Sequence, residues 1–121
     1  MKTVVSFLKE AEFKAQGLRG YFEYRDLNLT AATDGRYVAR VIRAIPGKRV
    51  DAGWHVHLAD FRLLYVLKGW LKFEYGGELG SFTMTAGDAI YQAPEPHAEL
   101  AHSDDLEVLE VASPASFSTE A

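Results

Sequence analysis

GWHVHLADFRLLYVLKGW, residues 53–70, sets two histidines one residue apart, with Arg62 five residues after the second and Gly69 seven after that. On an extended strand alternate side chains face one side, so His55 and His57 project into the same space about 7 Å apart. Two imidazoles so placed are candidate metal ligands, and Arg62 is a permanent cation suited to an anionic group. An isolated pair of this kind is also what two satisfied or solvated histidines look like. The pattern around it therefore carries the reading.

On both sides of this stretch the chain alternates apolar and polar residues in short runs. YVARVIRAI at 37–45 stops at Pro46-Gly47, and FRLLYVLKGWLKFEY runs from 61 to 75 before Gly76-Gly77. SFTMT at 81–85 precedes the turn Ala86-Gly87-Asp88, AIYQ follows it, and HAELAH and LEVLEVA bracket Ser103-Asp104-Asp105. Period-two runs punctuated by Gly, Pro and Asp read as strands at hairpin spacing. Many short strands of this kind close into a barrel or pack as two sheets. The expected fold class is all-β.

The first 36 residues are less regular and read as an extension that packs on the barrel or on a partner. LKEAEFKAQ at 8–16 has helix-forming composition but spans barely two turns, whereas RGYFEYRDL at 19–27 alternates as a strand does, so a short helical turn and one or two extra strands are expected here. Tyr21, Phe22 and Tyr24 in that stretch suit either ordinary packing or a dimer contact. The tail from 114 to 121, PASFSTEA, is small and polar, is expected to pack only through Phe117, and is assigned no chemistry.

Composition narrows the function. At 121 residues one domain is expected, and 48% hydrophobic with 25% charged residues is a balance that folds. A net charge of −4 offers no basic stripe for a phosphate backbone, so nucleic acid is not an expected partner. No apolar run reaches the length of a membrane span and MKTVVSFLKEAEFK is broken early by charges, so a cytoplasmic protein is expected. There is no cysteine, which leaves nitrogen and oxygen donors for any metal.

Residues 37–111 resemble a small single-domain cupin, the double-stranded β-helix or jelly-roll barrel with a central pocket. The first motif of that family has glycine, the spaced histidines, a glutamate and a second glycine; here it is GKRVDAGWHVHLADFRLLYVLKG, residues 47–69. The second is looser, GDAIYQAPEPH at 87–97, with His97 in the place of the third imidazole. The resemblance implies a barrel over residues 37–113 and a divalent iron, manganese, nickel, copper or zinc ion held by His55, His57 and His97. Gly47 lies further from His55 than the family pattern has it, the proline turn before His97 is one residue short, and Ala101 replaces a frequent asparagine. The chemical departure is Arg62, which stands where the family has its glutamate ligand. A guanidinium has no lone pair to give, so a three-histidine, one-glutamate site is excluded.

If Arg62 faces the pocket, its charge at about 5 Å and an effective dielectric near 20 repels a metal by roughly 3 kcal/mol per unit of metal charge. Three compensations are open. Glu99, two residues beyond His97 and on its face, is placed to pair with Arg62. Arg62 also suits a ligand carboxylate bound next to the metal. Alternatively the metal is absent, and Arg62 anchors an acidic ligand in a metal-free binding or sensing module. Leu64 and Val66 share Arg62's face and are expected to line the pocket, Asp60 is a candidate to orient a histidine, and Tyr65 is expected outside. His102, five residues from His97, falls on the opposite face of a continuous strand and is expected at the surface. A small acidic organic molecule and a second copy of the chain are the expected partners. The resemblance further points to the three-histidine iron enzymes, such as diketone-cleaving and cysteine dioxygenases, without selecting a reaction.

Overall fold

The computed structural model describes residues 1–15 and 20–121. The expectations for 8–16 and 19–27 reach into residues 16–19, which lie outside the described residues. Within them, the helix-forming stretch yields only a 3-10 turn at Leu8–Glu10, followed by β1 at Lys14–Ala15. The aromatic alternation yields β2, Phe22–Asp26, which pairs antiparallel with β3, Val38–Ala44, after a short helix α1, Leu29–Ala32. No helix among the described residues is long and apolar enough to cross a membrane.

The remaining strands are β4 (Val56–His57), β5 (Phe61–Lys68), β6 (Trp70–Tyr75), β7 (Ser81–Thr85), β8 (Ala89–Tyr91), β9 (His97–His102), β10 (Glu107–Ser113) and β11 (Thr119–Glu120). A six-stranded sheet runs β1-β2-β3-β10-β5-β8, a three-stranded sheet β7-β6-β9, and β11 pairs with β4. Ile42, Leu64, Val66 and Val108 of the large sheet meet Leu71, Phe73, Tyr75 and Met84 of the smaller one in a single buried cluster. The architecture is all-β, as the alternation predicts.

Residues 61–75 read as one continuous run, but the chain changes sheet at Gly69. Its φ of 76° lies in the left-handed region that favours glycine. A Cβ there would sit 2.2 Å from Ser103 Oγ and 2.9 Å from Leu106 Cα, so the corner has no room for a side chain. β5 therefore delivers its inward residues to one wall and β6 to the other. This change of sheet at Gly69 lets one hairpin-like run enclose an interior.

A second irregularity is in β9. Phe73 is opposite Glu99 and Lys72 is opposite Ala101, so Leu100 is an extra residue and β9 bulges there. The bulge shifts the parity of everything after it. His97 and His102 consequently both point inward, His102 being buried against Phe22 with ring centroids 5.2 Å apart. The surface position expected for His102 is therefore corrected.

Candidate metal centre

His55 and His97 face each other across an isolated bridge, with His55 N–H donating to His97 O and His97 N–H to His55 O, both at 2.9 Å. His57 follows on β4. The three rings meet with centroids 4.9 Å apart for His55 and His57, 4.6 Å for His55 and His97 and 5.2 Å for His57 and His97. All three are buried, and one nitrogen from each lies within 4.8 Å of the others. The sequence-predicted trio is thus brought together in space.

The outer nitrogens explain which way the rings are turned. His55 Nδ1 lies 2.8 Å from Gly53 O, and His97 Nδ1 lies 3.0 Å from Glu95 O. A carbonyl only accepts, so both Nδ1 atoms carry hydrogen and, in a neutral ring, Nε2 keeps its lone pair. His57 Nδ1 is 2.8 Å from Thr119 Oγ1, a hydroxyl oxygen that accepts when the ring donates. His55 Nε2 is buried with no hydrogen-bond partner among the described residues. A buried acceptor left unsatisfied costs about 1–3 kcal/mol. The donor set therefore fits a divalent cation: three converging imidazoles, each held at Nδ1 by an oxygen atom behind it, with the Nε2 lone pairs of His55 and His97 left on the inner side when those rings are neutral.

Tyr75 stacks on His97 with centroids 5.0 Å apart, and its hydroxyl accepts from Gln92 Nε2 at 2.9 Å. Burial pushes the Tyr75 hydroxyl up from its ordinary value, partly offset by the Gln92 bond and the Arg62 charge. The same Gln92 nitrogen lies 3.4 Å from His97 Nε2. Gln92 Oε1 in turn accepts from Arg62 Nη1.

Arg62 is buried, as its inward position requires, but its carboxylate partner is Glu110 and not Glu99. Arg62 Nε donates to Glu110 Oε2 at 2.8 Å and Nη2 lies 2.7 Å from the same oxygen. Arg40 holds the other oxygen, with Nε at 2.7 Å and Nη2 at 2.6 Å from Oε1. Register explains the arrangement: on β10 Glu110 is directly opposite Arg40 of β3 and Leu64 of β5, so Arg62 is its diagonal neighbour. Burial alone would raise the Glu110 carboxyl; the Arg62 and Arg40 charges outweigh it and hold it below the ordinary carboxylate range. Glu110 was legible as an inward residue, because it shares the parity of Leu106, Val108 and Ala112 in an alternating strand.

Glu99 remains inward-facing on β9, with Oε2 buried and no hydrogen-bond partner among the described residues. Leu64 and Val66 are packed in the apolar core and Tyr65 is 41% exposed. Asp60 is exposed and its backbone N–H bonds to Ser113 O; the groups that hold the three Nδ1 atoms are Gly53, Thr119 and Glu95 instead. The expectation that the tail packs only through Phe117 is also corrected, since β11 is paired to β4 and Thr119 touches His57.

No family model matches the chain, and no curated protein matches its sequence. Solved structures do match. An iron(II) form of HppE superposes with TM-score 0.68 at 20% identity over 91% of this chain, which spans 60% of HppE's length. The polyketide cyclase RemF from Streptomyces resistomycificus gives 0.73 at 18% identity, covering 99% of this chain and 84% of RemF. KdgF from Halomonas sp. gives 0.69 at 21% identity, covering 92% and 94%. These are cupin-fold proteins, and the jelly roll of this chain is the cupin fold.

Proposed function

We propose that this protein is a metal-dependent cupin that binds a small anionic organic molecule at the His55, His57 and His97 centre, with oxidative cleavage by dioxygen as the reaction class to test first. The observation that carries the reading is the convergence of three buried imidazoles whose Nδ1 atoms are engaged from behind. A divalent ion held there supplies Lewis acidity and open coordination positions for a ligand oxygen such as that of an enolate, keto acid or carboxylate. The Tyr75 hydroxyl, held by Gln92 beside His97, is the group that would orient the ligand, and Leu64 and Val66 provide apolar surroundings. Glu99 presents an unpaired carboxylate oxygen to a proton donor on that ligand.

Arg62 contributes at one remove. Two guanidiniums share one carboxylate in the Arg40, Glu110 and Arg62 cluster, so the cluster carries a net single positive charge, favourable to an anion. A metal-free pocket anchored by Arg62 is the weaker reading, because Glu110 and Gln92 already occupy its guanidinium. We also infer self-association through the outer face of the large sheet. There Val41, Leu109 and Tyr65 form one cross-strand row and Val111, Leu63 and Tyr91 the next, where a solvated face would alternate to polar residues.

Elemental analysis of protein purified without chelator tests the centre, with the His57→Ala variant alongside. Near-stoichiometric metal in the wild type and none in the variant is expected. Failure of the wild type to bind even after anaerobic loading with iron would reject the reading. Oxygen uptake across keto acids and diketones, using iron-loaded protein, then tests the reaction class; no uptake with any of them would remove the dioxygenase version.

A further inference from the structure

The segment 117–120 meets the histidine centre at several points. Thr119 is paired with His57 and Glu120 with Val56 in the β11–β4 ladder. Leu58 N–H donates to Ser118 O at 2.9 Å, and the Phe117 ring stands edge-on to His57 at 6.1 Å. The closest approach is chemical: Thr119 Oγ1 lies 2.8 Å from His57 Nδ1.

His57 differs from its two neighbours in what holds it. His55 and His97 are fixed by carbonyls two residues before them, Gly53 O and Glu95 O, so their tautomers follow from their own loops. The partner at His57 Nδ1 is a side chain 62 residues away, and a hydroxyl both donates and accepts. Only when Nδ1–H donates to Oγ1 does Nε2 of His57 present a lone pair toward the other rings. The hydroxyl thus holds the ring's orientation without dictating its proton, and a cation at Nε2 selects the tautomer.

We propose that Thr119 is the positioning residue for His57 and that β11 is a clamp through which a segment remote in sequence sets the metal affinity of the site. The inference rests on the metal-centre reading and goes beyond it. Thr119 acts through His57 and contributes no ligand atom. Loss of such an outer partner typically lowers metal affinity roughly 10–100-fold.

The test is titration of Co(II), followed by its visible absorption, and of Zn(II), followed by calorimetry, into wild type, Thr119→Val and Thr119→Ser. Valine keeps the branched shape that suits a strand and removes only the hydroxyl; serine restores it. Thermal unfolding of the three metal-free proteins reports whether the clamp itself has been lost. The expected result is a roughly 10–100-fold weaker affinity and an altered Co(II) spectrum for Thr119→Val, near wild-type values for Thr119→Ser, and a metal-free midpoint for Thr119→Val lowered no further than the loss of one hydrogen bond lowers it. Wild-type affinity in Thr119→Val overturns the clamp while leaving the centre intact, and so does a serine variant as weak as the valine one. A wild type that binds neither ion overturns the clamp and the centre together.

Discussion

Among the described residues two buried polar clusters lie on the inward side of the barrel, and they are built on opposite principles. In the Arg40, Glu110, Arg62 and Gln92 cluster both oxygens of Glu110 are engaged by guanidinium and Gln92 is bonded through both its oxygen and its nitrogen. In the His55, His57 and His97 cluster the outer nitrogens are bonded and His55 Nε2 is buried without a partner. The first is charged and closed; the second is built of imidazoles and open. Burial of polar groups is therefore not by itself a mark of a site. What distinguishes the two is whether the polar atoms satisfy one another or are directed together toward a common space.

That contrast breaks most visibly if the closed cluster is opened. Glu110→Gln leaves Arg40 and Arg62 without their anion in a buried setting. The expected cost is about 3–5 kcal/mol of folding stability, read from urea midpoints. A loss below about 1 kcal/mol would show that water solvates the arginines, or a bound anion neutralises them, once the carboxylate is gone. Acid gives a milder version of the same change. The Glu110 carboxyl sits below its ordinary value of 4.5 in the folded protein. Its contribution is therefore fully present above about pH 4.5 and declines as pH falls toward and through the folded value, because the unfolded chain then binds the proton more readily. Stability of Glu110→Gln should lack this part of the acid dependence, which denaturant titrations between neutral pH and pH 3 would reveal.

The open cluster predicts the reverse. Removing one of its rings costs the apo fold little, because among the described residues the one side-chain hydrogen bond broken at His55 is that from Nδ1 to Gly53 O. His55→Ala is expected to stay within about 1–2 kcal/mol of wild type without metal, a methyl replacing a ring whose Nε2 had no partner. With metal present the difference widens. At a free concentration a hundred times its Kd the wild type gains about 2.7 kcal/mol from the ion and the variant gains none. Denaturant melts with and without Zn(II) measure both quantities. Equal gains in the two proteins would locate the metal elsewhere.

The outer face of the large sheet supplies a smaller test of a different kind. Tyr65→Lys places a charge in the centre of an otherwise apolar row, where it is 41% exposed in the single chain. Folding stability should change by about 0.5 kcal/mol or less, as for a surface position. Light scattering should nevertheless show a shift from dimer to monomer. A wild type that is monomeric at all concentrations would instead leave the apolar rows without a role in association.

What could be read in advance follows the range of the interactions. Period-two alternation and turn residues are local, and strands such as Val38–Ala44 and Phe61–Lys68 fall where the runs 37–45 and 61–75 place them. The His55 and His57 pair was legible from its spacing alone, whereas His97 joined it only through the resemblance of GDAIYQAPEPH to the second cupin motif. Partnerships across strands were not. Arg62 and Glu110 are 48 residues apart, and His57 and Thr119 are 62 apart. Only the order of strands in the sheets sets such pairs, and parity along one strand led to Glu99 instead. Parity itself failed at His102, since one additional residue in β9 reverses every side chain beyond it.

His102 also sharpens the contrast between the clusters. Its Nδ1 lies 3.0 Å from Ser103 O, so the ring tautomer is fixed as in His55 and His97. Its Nε2 is buried and unpartnered among the described residues, again as in His55. By the criterion of an orphaned nitrogen alone, His102 would count as a ligand. It differs in that no second and third donor converge with it among the described residues. Replacing it by leucine removes an unsatisfied acceptor from an apolar neighbourhood that includes Phe22, so stability should be unchanged or raised by up to about 1 kcal/mol. Metal stoichiometry and affinity should equal those of the wild type. Loss of metal from His102→Leu, with the fold intact by circular dichroism, would mean that convergence of three imidazoles is not what defines the centre.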